Sequence, residues 1–344
     1  MFYIHSTSCI SPQHTFRNID IETVVQPTGK QFHALEPAYE EIPPGVLRRM
    51  GKAVRMGVGA AMPLLVNPVD GIIIGTSNGG KDDCLKFLQQ IIQYNEGLLT
   101  PINFVQSTPN AIAAQIGLLT NNQGYNITHL HLGLSFEYAM IDADMMLAEN
   151  SNNTYLLGAV DDNSTSNYIL EDKGGWYKTE DIPGSELYEA DTPGSIGGEA
   201  AAMFIVNAVN TGALVSVKAI DTLHSLDEAV VKEKLQQFIN THLPAGEKID
   251  VLLSGENGDN RLQKYFSAGE SIAGDITIAR FKHLCGEYAT STAMALWLAC
   301  RIIAQQSIPA HMIKRQGSPD TIKNVLIYNN CKGLQHGFVL VGSA

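Results

Sequence analysis

The sequence predicts an α/β fold in which long helices lie buried between layers of β-sheet. Short runs of branched apolar residues that end in glycine-rich turns, such as residues 71–76, predict buried strands. Segments with helical periodicity alternate with these strands. Residues 293–304 are apolar except for Arg301 and predict a long core helix. The 344 residues, 44% of them hydrophobic, suffice to bury such a core without disulfides or metals.

The elements of the first part of the chain follow from this periodicity. Two prolines at 43–44 suit the start of a helix within residues 45–65. Apolar residues within 82–96 recur on one helical face and predict an amphipathic helix. The polar stretch 161–198 predicts a long surface loop. The other expected elements are strands at 2–5, 126–134, 155–160 and 200–206, and helices at 109–119 and 135–147.

The second part of the chain shows the same alternation. We expect an amphipathic helix at 226–239 and a buried strand at 248–254 that ends in a glycine-rich turn. A long helix is expected at 287–304. Residues 321–328 and 336–341 predict two closing strands joined as a hairpin.

Composition excludes several classes of function. Lys and Arg number 23 against 35 Asp and Glu, and the net charge of −12 argues against broad nucleic-acid binding. Five widely spaced cysteines predict reduced thiols, not a disulfide framework or a structural zinc site. No signal peptide, membrane-spanning run or nucleotide-binding motif is recognisable. We therefore expect a cytoplasmic protein with no cofactor and no membrane span.

Two histidines and a serine near the expected strand 126–134 are candidates for chemistry. His129 and His131 face the same side of that strand and could form half of a metal site. We favour a structural, hydrogen-bonded pair, because no third ligand lies nearby in the sequence. Ser135 opens the next helix, but the G-x-S-x-G elbow is incomplete. A helix N-cap is therefore its expected role.

Glu287 follows Gly286 at the head of the expected core helix. A carboxylate in this place serves either as a general base in a cleft or as a complement to the helix dipole. The individual residues thus indicate an α/β protein without a complete catalytic set.

Six segments in a particular order carry more information than any one of them. They are RRM at 48–50, GIIIGTSNGG at 71–80, PNA at 109–111, GYNIT at 124–128, GEAAA at 198–202, and Lys282 with Gly286. In this order they resemble the β-ketoacyl-acyl-carrier-protein synthases, the condensing enzymes of the thiolase-like fold. The resemblance implies a five-layer αβαβα sandwich of two similar halves, residues 1–210 and 211–344.

The resemblance also implies which positions would be catalytic, and the residues there have changed. The family uses a cysteine nucleophile, two histidines and a lysine. The cysteine position falls on Gly133, and the first histidine position falls on or near Gly255. The second histidine position falls on Glu287, and the lysine is kept as Lys282. Because glycine supplies no nucleophile and an ionised glutamate repels a developing enolate, no catalytic residue except the lysine is intact.

The family offers a precedent for such a chain. Chain-length factors resemble the synthases, lack the cysteine and form a heterodimer with an active synthase. The resemblance therefore implies a condensation-inactive partner or chain-length factor in fatty acid or polyketide biosynthesis, including that of polyene pigments. Its partners would be a cognate β-ketoacyl synthase or a second copy of itself, together with an acyl carrier protein. In the family the dimer interface includes the strand next to the nucleophile, here residues 126–133.

Two alternatives remain open. One is an acyltransferase of the thiolase fold that acts on an acyl thioester, with Glu287 as base and a nearby histidine or serine as helper. The other is a homodimer that binds a small molecule or an acyl group. The candidate acyl-pocket residues are His129, His131, Ser135 and Glu199.

Overall fold

The structure, a computed structural model, describes residues 1–272, 274 and 276–344. The strands in this part of the chain are β1 (Phe2–Ile10), β2 (Gly71–Gly75), β3 (Tyr125–His129), β4 (Thr154–Asp161), β5 (Ala200–Asn207), β6 (Val215–His224), β7 (Val251–Ser254), β8 (Thr277–Arg280), β9 (Ile313–Arg315), β10 (Asn324–Cys331) and β11 (Gln335–Ser343). The helices are α1 (Pro44–Leu47), α2 (Lys52–Ala61), α3 (Lys81–Gln93), α4 (Pro101–Gln106), α5 (Ala111–Thr120), α6 (Ser135–Glu149), α7 (Thr165–Lys173), α8 (Glu228–His242), α9 (Gln263–Ile272), α10 (Lys282–Cys285) and α11 (Thr292–Gln305).

The strands form one mixed sheet in the order β3-β2-β4-β5-β1-β6-β11-β10-β7-β8-β9. In its first part, β2 runs parallel to both β3 and β4. In its second part, β7 runs parallel to both β8 and β10. In the first part of the sheet, the third, second, fourth, fifth and first strands of the chain lie side by side in that order. If β9, which is added at the edge, is left out, the strands of the second part follow the same order, as β8-β7-β10-β11-β6. Antiparallel pairing of β1 with β6 joins the two parts.

Helices and strands stack in five layers around three apolar clusters. Helices α6 and α11 lie in the central cluster and contact strands of both parts of the sheet. Helices α2 and α5 cover the far side of the first strands, and α8 and α9 cover the far side of the second strands. This arrangement confirms the predicted α/β five-layer sandwich.

Strand β2 illustrates how the sequence produces these layers. Its side chains alternate between two buried faces, because successive residues of a strand point to opposite sides. Ile72 and Ile74 pack with α2 and α5, whereas Ile73 packs in the central cluster. A strand covered on both faces requires a continuous apolar run, and residues 71–75 supply one.

Several expectations about individual elements were wrong. The core helix begins at Thr292 and not at residue 287. Strand β6 was missed although its sequence alternates, and the elements β8, β9, α4 and α9 were missed as well. The expected surface loop at 161–198 contains the helix α7. The amphipathic helix expected at 82–96 exists as α3, but none of its residues is buried. Among the described residues, no helix is both long and apolar enough to cross a membrane.

Candidate functional site

A cavity of about 170 Å³ lies beyond the carboxyl ends of β2, β4, β7 and β10. Each of these strands has a parallel neighbour, and ligands of open α/β sheets bind at such ends. Turns that follow the strands supply much of the wall, and further parts come from α7, from the 176–177 segment and from residues 287–289, which precede α11. The cavity therefore occupies the place where the fold brings loops of both parts together.

Asp161, the last residue of β4, holds the turn after β2 in the cavity wall. Its Oδ1 accepts hydrogen bonds from the N–H groups of Ser77 (2.8 Å) and Asn78 (2.9 Å). Its Oδ2 accepts from the hydroxyl of Thr290 (2.8 Å) near the start of α11. Burial raises the pKa of the Asp161 carboxyl, while these donors lower it. The Asp161 carboxyl group thus links the end of β4, the turn after β2 and the segment before α11 by hydrogen bonds.

Gly133, the position that the resemblance assigns to the nucleophile, is buried outside the cavity lining. A Cβ at this residue would lie 2.1 Å from the Cβ of Cys331, so there is no space for a side chain. The preceding residue, Leu132, lines the cavity instead. Its φ of 52° is in the left-handed region, which is strained for leucine. A side chain therefore reaches the cavity from position 132 and not from position 133.

At the position assigned to the first histidine, too, the assigned residue is closely packed and a residue nearby in the chain lines the cavity instead. A Cβ at Gly255 would lie 2.1 Å from Oδ1 of Asn329, so this glycine is also closely packed. Two residues later, Asn257 lines the cavity. Its Nδ2 donates to Oε2 of Glu287 (2.9 Å), and its Oδ1 accepts from the N–H of Asp259 (3.1 Å). The Asn257 side chain is therefore hydrogen-bonded through both its amide nitrogen and its amide oxygen.

Glu287 lines the cavity, and the fully buried Lys282 lies behind it. The Nζ atom of Lys282 donates to Oε2 of Glu287 (2.9 Å) and to the hydroxyl of Ser291 (2.6 Å). Glu287 pairs with Gly197 in an isolated bridge and precedes α11 by several residues. The helix-dipole interpretation of Glu287 was therefore wrong, since this residue does not lie in the first turn of the helix.

A second buried carboxyl group, Glu137 of α6, lies further along the same hydrogen-bonded network. Asn329 donates to the hydroxyls of Ser291 (3.1 Å) and Thr292 (3.0 Å), and Thr292 donates to Oε1 of Glu137 (2.6 Å). Oε2 of Glu137 has no partner among the described residues. Burial raises the pKa of Glu137 to about 7. The polar network thus runs from Glu287 into the core.

Cys331, at the end of β10, is a cysteine of the cavity lining. Burial, followed by the negative charge of Glu287, raises the pKa of its thiol to about 12. A nucleophilic cysteine requires the opposite shift, because the thiolate is the reactive form. Cys331 is therefore protonated at neutral pH and is a poor substitute for the missing nucleophile.

The two histidines of the sheet edge do not line the cavity. Nε2 of His129 lies 3.2 Å from Oδ2 of Asp142. The ring of His131 packs at 4.4 Å from that of Tyr138, and at 6.3 Å from that of His129. Among the described residues, no group of His, Cys, Asp and Glu could hold a metal ion. Their role in an acyl pocket remains a prediction.

Ser135 and Glu199, the other two pocket candidates, are fully buried and bonded to the backbone. The Ser135 hydroxyl donates to the carbonyl of Leu132 (2.8 Å), while the N-cap of α6 is Leu134. The expectation of a Ser135 N-cap was therefore wrong.

Glu199 is bonded through both carboxylate oxygens. Its Oε1 accepts from the N–H of Ala34 (2.7 Å) and from Lys52, and its Oε2 accepts from the N–H of Asn163 (2.9 Å). This carboxylate fixes loop segments to one another. Its place in an acyl pocket remains a prediction.

The sequence analysis missed several residues of the lining: Leu132, Asp162, Asn167, Asn257 and Cys331. Two of them carried a usable signal. Asp162 lies two residues after a predicted strand, and Asn257 lies in the glycine-rich turn after another, where functional side chains of α/β folds concentrate. The other three reach the cavity through backbone conformation and tertiary packing.

Comparison with known proteins agrees with this geometry. Residues 25–173 match the family model of the beta-ketoacyl synthase N-terminal domain. No curated protein matches the sequence significantly. The family model confirms the resemblance to the β-ketoacyl synthases over those residues.

Solved structures extend the likeness to the whole chain. The ishigamide ketosynthase/chain length factor matches with a TM-score of 0.77 at 12% identity, covering 100% of this chain and 99% of its own. A beta-ketoacyl synthase from Burkholderia phymatum gives 0.77 at 14%, with the same coverage of both chains. A ketosynthase in complex with its chain length factor, from Xenorhabdus doucetiae, gives 0.75 at 13%, covering 100% and 98%. These matches confirm the thiolase-like fold.

Proposed function

We propose that this chain is a non-condensing, β-ketoacyl synthase-like subunit that pairs with an active ketosynthase, as a chain-length factor does. The observation that carries the proposal is the composition of the cavity. Leu132, Asn257 and Glu287 line it where condensation would need a thiolate and two imidazoles. We assign the nucleophile position to Leu132, because a side chain at Gly133 would collide with Cys331.

The chemistry of condensation explains why these replacements matter. The acyl group must be held as a thioester, which requires a thiolate nucleophile. The decarboxylated malonyl group then develops an enolate charge that two N–H donors stabilise. Leucine offers no nucleophile, and the carboxylate of Glu287 places negative charge beside the cavity. Cys331, with its raised pKa, does not restore the thiolate.

An exposed apolar surface supports the pairing role. We call it the edge surface, and it comprises apolar side chains of α3 to α6 and of the segments between them. Ile92 is 82% exposed and Leu98 is 91% exposed. Helices α3 and α4 contact each other, and α5 and α6 both contact β3. Large apolar side chains exposed on adjoining elements indicate a protein–protein interface. The edge surface consists of Leu88, Ile92, Leu98, Phe104, Val105, Leu118, Leu130 and Met145.

The free edge of β3 supports the same role. β3 is the terminal strand of the sheet and is paired on one side only, with β2. Helices α5 and α6 pack beside β3 and carry Leu118 and Met145 of the edge surface. An open strand edge flanked by apolar side chains can extend a sheet into a partner chain. Residues 126–133, the interface strand implied by the resemblance, include most of β3.

The similar structures fit this proposal, since two of them are described as a ketosynthase with a chain length factor. We place the chain in fatty acid or polyketide biosynthesis, with an acyl carrier protein as a further partner, and in the cytoplasm.

We also propose that residues 1–210 and 211–344 are the two halves of the fold. The strand order that recurs in both parts of the sheet supports this division.

The association test uses the chain together with a ketosynthase from the same genome. We expect a one-to-one heterodimer when the two are co-expressed and their mass is measured by light scattering. A matched control is the same experiment with an unrelated ketosynthase. A chain that stays monomeric with every ketosynthase of its genome, or that forms only homodimers in their presence, contradicts the pairing role.

A second candidate function is an acyl-thioester enzyme in which Glu287 is the base. The open cavity beside Glu287 favours it. However, Oε2 of Glu287 already accepts from Lys282 and Asn257, and the histidines expected to help do not line the cavity. Glu287→Gln separates the two proposals, because this enzyme would lose its turnover whereas a non-condensing subunit would keep its support of the partner synthase.

A further inference from the structure

Four segments that are distant in the sequence meet at a pair of histidines. His283 of α10 is 4% exposed, and its Nε2 lies 2.8 Å from Nδ1 of His311. Nε2 of His311 lies 2.8 Å from the carbonyl oxygen of Ile21. On the other side of the pair, Nδ1 of His283 lies 3.1 Å from the hydroxyl of Tyr188. The two imidazoles therefore connect the loop after β1, the loop between α7 and β5, α10, and the turn between α11 and β9.

The hydrogen-bond partners determine where each proton of this chain of bonds lies. A carbonyl oxygen only accepts, so Nε2 of His311 carries a hydrogen. Nδ1 of a neutral His311 then accepts, and Nε2 of His283 donates to it. Nδ1 of a neutral His283 accepts from the Tyr188 hydroxyl, whose oxygen accepts from the N–H of His283 (3.1 Å). Every donor of the chain thus meets an acceptor when both imidazoles are neutral.

An additional proton does not fit into this arrangement. On His283 it would occupy Nδ1 and point at the Tyr188 hydroxyl, which would then lose the acceptor for its own hydrogen. On His311 it would oppose the hydrogen on Nε2 of His283, or force that hydrogen to Nδ1 with the same result. In the described part of the chain, the Tyr188 hydroxyl has no other acceptor. Protonation therefore requires at least one of these hydrogen bonds to break.

The charges around the pair also disfavour an imidazolium. Arg280 of β8 lies over the ring of Tyr188, 3.7 Å from its centroid, and pairs with Glu256 (3.2 Å). Burial, followed by His311 and then by Arg280, lowers the pKa of His283 from 6.5 to about 3. Among the described residues, no carboxylate pairs with either imidazole. His283 is therefore neutral at neutral pH and resists protonation while these contacts hold.

The loop that Tyr188 holds in place also forms part of the cavity wall. We call residues 182–198 of this loop the wall segment. Its last residue, Gly198, lines the cavity. The N–H of Gly198 donates to the carbonyl of Glu287 (3.0 Å), and the N–H of Glu287 donates to the carbonyl of Ile196 (2.7 Å). Release of Tyr188 would thus remove a contact that holds the backbone beside Glu287.

We propose that His283 and His311 form an acid-sensitive latch on the wall segment. The latch is closed while both imidazoles are neutral, and it opens when one of them is protonated. In the open form, His283 takes up a proton near pH 6.5, whereas in the closed form it does so only near pH 3. Acid therefore favours the open form. The inference does not depend on the pairing role, because it concerns the chain alone.

Hydrogen exchange followed by mass spectrometry tests the latch. After correction for the intrinsic effect of pH on exchange, the protected amides of the wall segment, such as those of Leu187 and Gly197, should exchange about twentyfold faster at pH 5 than at pH 7. This factor is the ratio of opening constants for a group whose pKa is 6.5 when open and about 3 when closed. Amides of α5, which lies on the far side of the first strands, should keep their rates.

His283→Gln is the decisive variant, because a glutamine side chain keeps one donor and one acceptor but takes up no proton. Its wall segment should exchange at nearly equal corrected rates at pH 5 and pH 7. His242→Gln, the same change at an exposed histidine of α8, is the matched control and should keep the twentyfold difference. Folding of each variant is checked by its circular dichroism spectrum and its thermal transition.

Ring nitrogen resonances of the wild-type chain provide a test that requires no variant to fold. At pH 7, scalar coupling across the hydrogen bond should join Nε2 of His283 to Nδ1 of His311, and each ring should carry a hydrogen on Nε2 alone. Either ring as an imidazolium at pH 7 would overturn the proposal. So would equal exchange of the wall segment at pH 5 and pH 7, an equal acceleration in α5, or an unchanged pH dependence in folded His283→Gln.

Discussion

The cavity and the edge surface differ in the side chains that they present. Carboxyl, amide and ammonium groups, including those of Glu287, Asn257 and Lys81, line the cavity beside apolar and aromatic side chains. The edge surface, which faces solvent in the isolated chain, exposes large apolar side chains such as Leu98. This difference supports our proposal of a non-condensing subunit that pairs with a ketosynthase.

The two ends of the sheet support the same conclusion. β9 is a three-residue edge strand, and its Lys314 pairs with Glu256 and Glu270. Short, charged edges prevent unwanted pairing. β3 at the opposite end is flanked by the apolar edge surface. One edge is thus protected against association, and the other is suited to it.

The largest expected effect concerns the thiol of the cavity. With its pKa raised to about 12, Cys331 should react with iodoacetamide about a thousandfold more slowly at pH 7 than an unperturbed thiol. Peptide mass spectrometry over a time course measures this rate, and a free cysteine peptide is the reference. Rapid labelling of Cys331 in the folded chain would show that the cavity contains a competent nucleophile.

The ion pair of Lys282 with Glu287 beside the cavity should contribute strongly to the free energy of unfolding. Lys282→Met leaves Glu287 without its buried cation and should lower the free energy of unfolding by about 3–5 kcal/mol. Adding Glu287→Gln should restore most of that loss. Urea denaturation measures both changes.

The exposed pair of Lys332 with Glu171 provides the control for this effect. Lys332→Met should cost less than about 1 kcal/mol, because surface ion pairs contribute little. Equal costs for Lys282→Met and Lys332→Met would contradict the buried role of Lys282.

Glu137 should make stability depend on pH. Its pKa is raised from 4.5 to about 7 in the folded chain, so the unfolded chain releases this proton at lower pH. Its contribution therefore favours folding below about pH 4.5, and about 2–3 kcal/mol is lost as pH rises from about 5 to 8.

Glu137→Gln should remove this part of the pH dependence. The midpoints of urea denaturation at about pH 5 and about pH 8 measure this dependence of stability on pH. Glu149→Gln at the exposed end of α6 is the matched control. Identical pH profiles for the wild type and Glu137→Gln would show that Glu137 does not titrate in this range.

Charges placed on the edge surface should weaken the heterodimer. Leu118→Lys combined with Leu130→Lys should raise the dissociation constant by about a hundredfold, because two apolar contacts are lost. Leu226→Lys introduces the same change at an exposed leucine outside the edge surface and should leave association unaffected. Analytical ultracentrifugation measures the constants, and an unchanged double variant would place the interface elsewhere.

The sequence predicted the fold well where a local pattern determines an element. The Ile72–Ile74 run indicated a strand covered on both faces, and the motif order indicated the five-layer sandwich. The apolar face of α3 was also visible in its periodicity. Whether that face is buried depends on tertiary packing, which periodicity does not show, so the exposure of Ile92 could not be predicted.

The site was predictable only in part. The motif order brought Glu287 and Lys282 into consideration, and the structure places them 2.9 Å apart. Position 132 was missed because its contact with the cavity depends on a left-handed φ and on the packing of Gly133 against Cys331. Such contacts join residues far apart in the sequence and leave no periodic signal.

The most direct test of the central claim is a condensation assay with acyl- and malonyl-loaded carrier protein. The chain alone should form no 3-oxoacyl product and should release no carbon dioxide from the malonyl group. A ketosynthase that pairs with this chain should form product in its presence, and a variant of that ketosynthase without its nucleophilic cysteine should not. Product formation by the chain alone would contradict the claim.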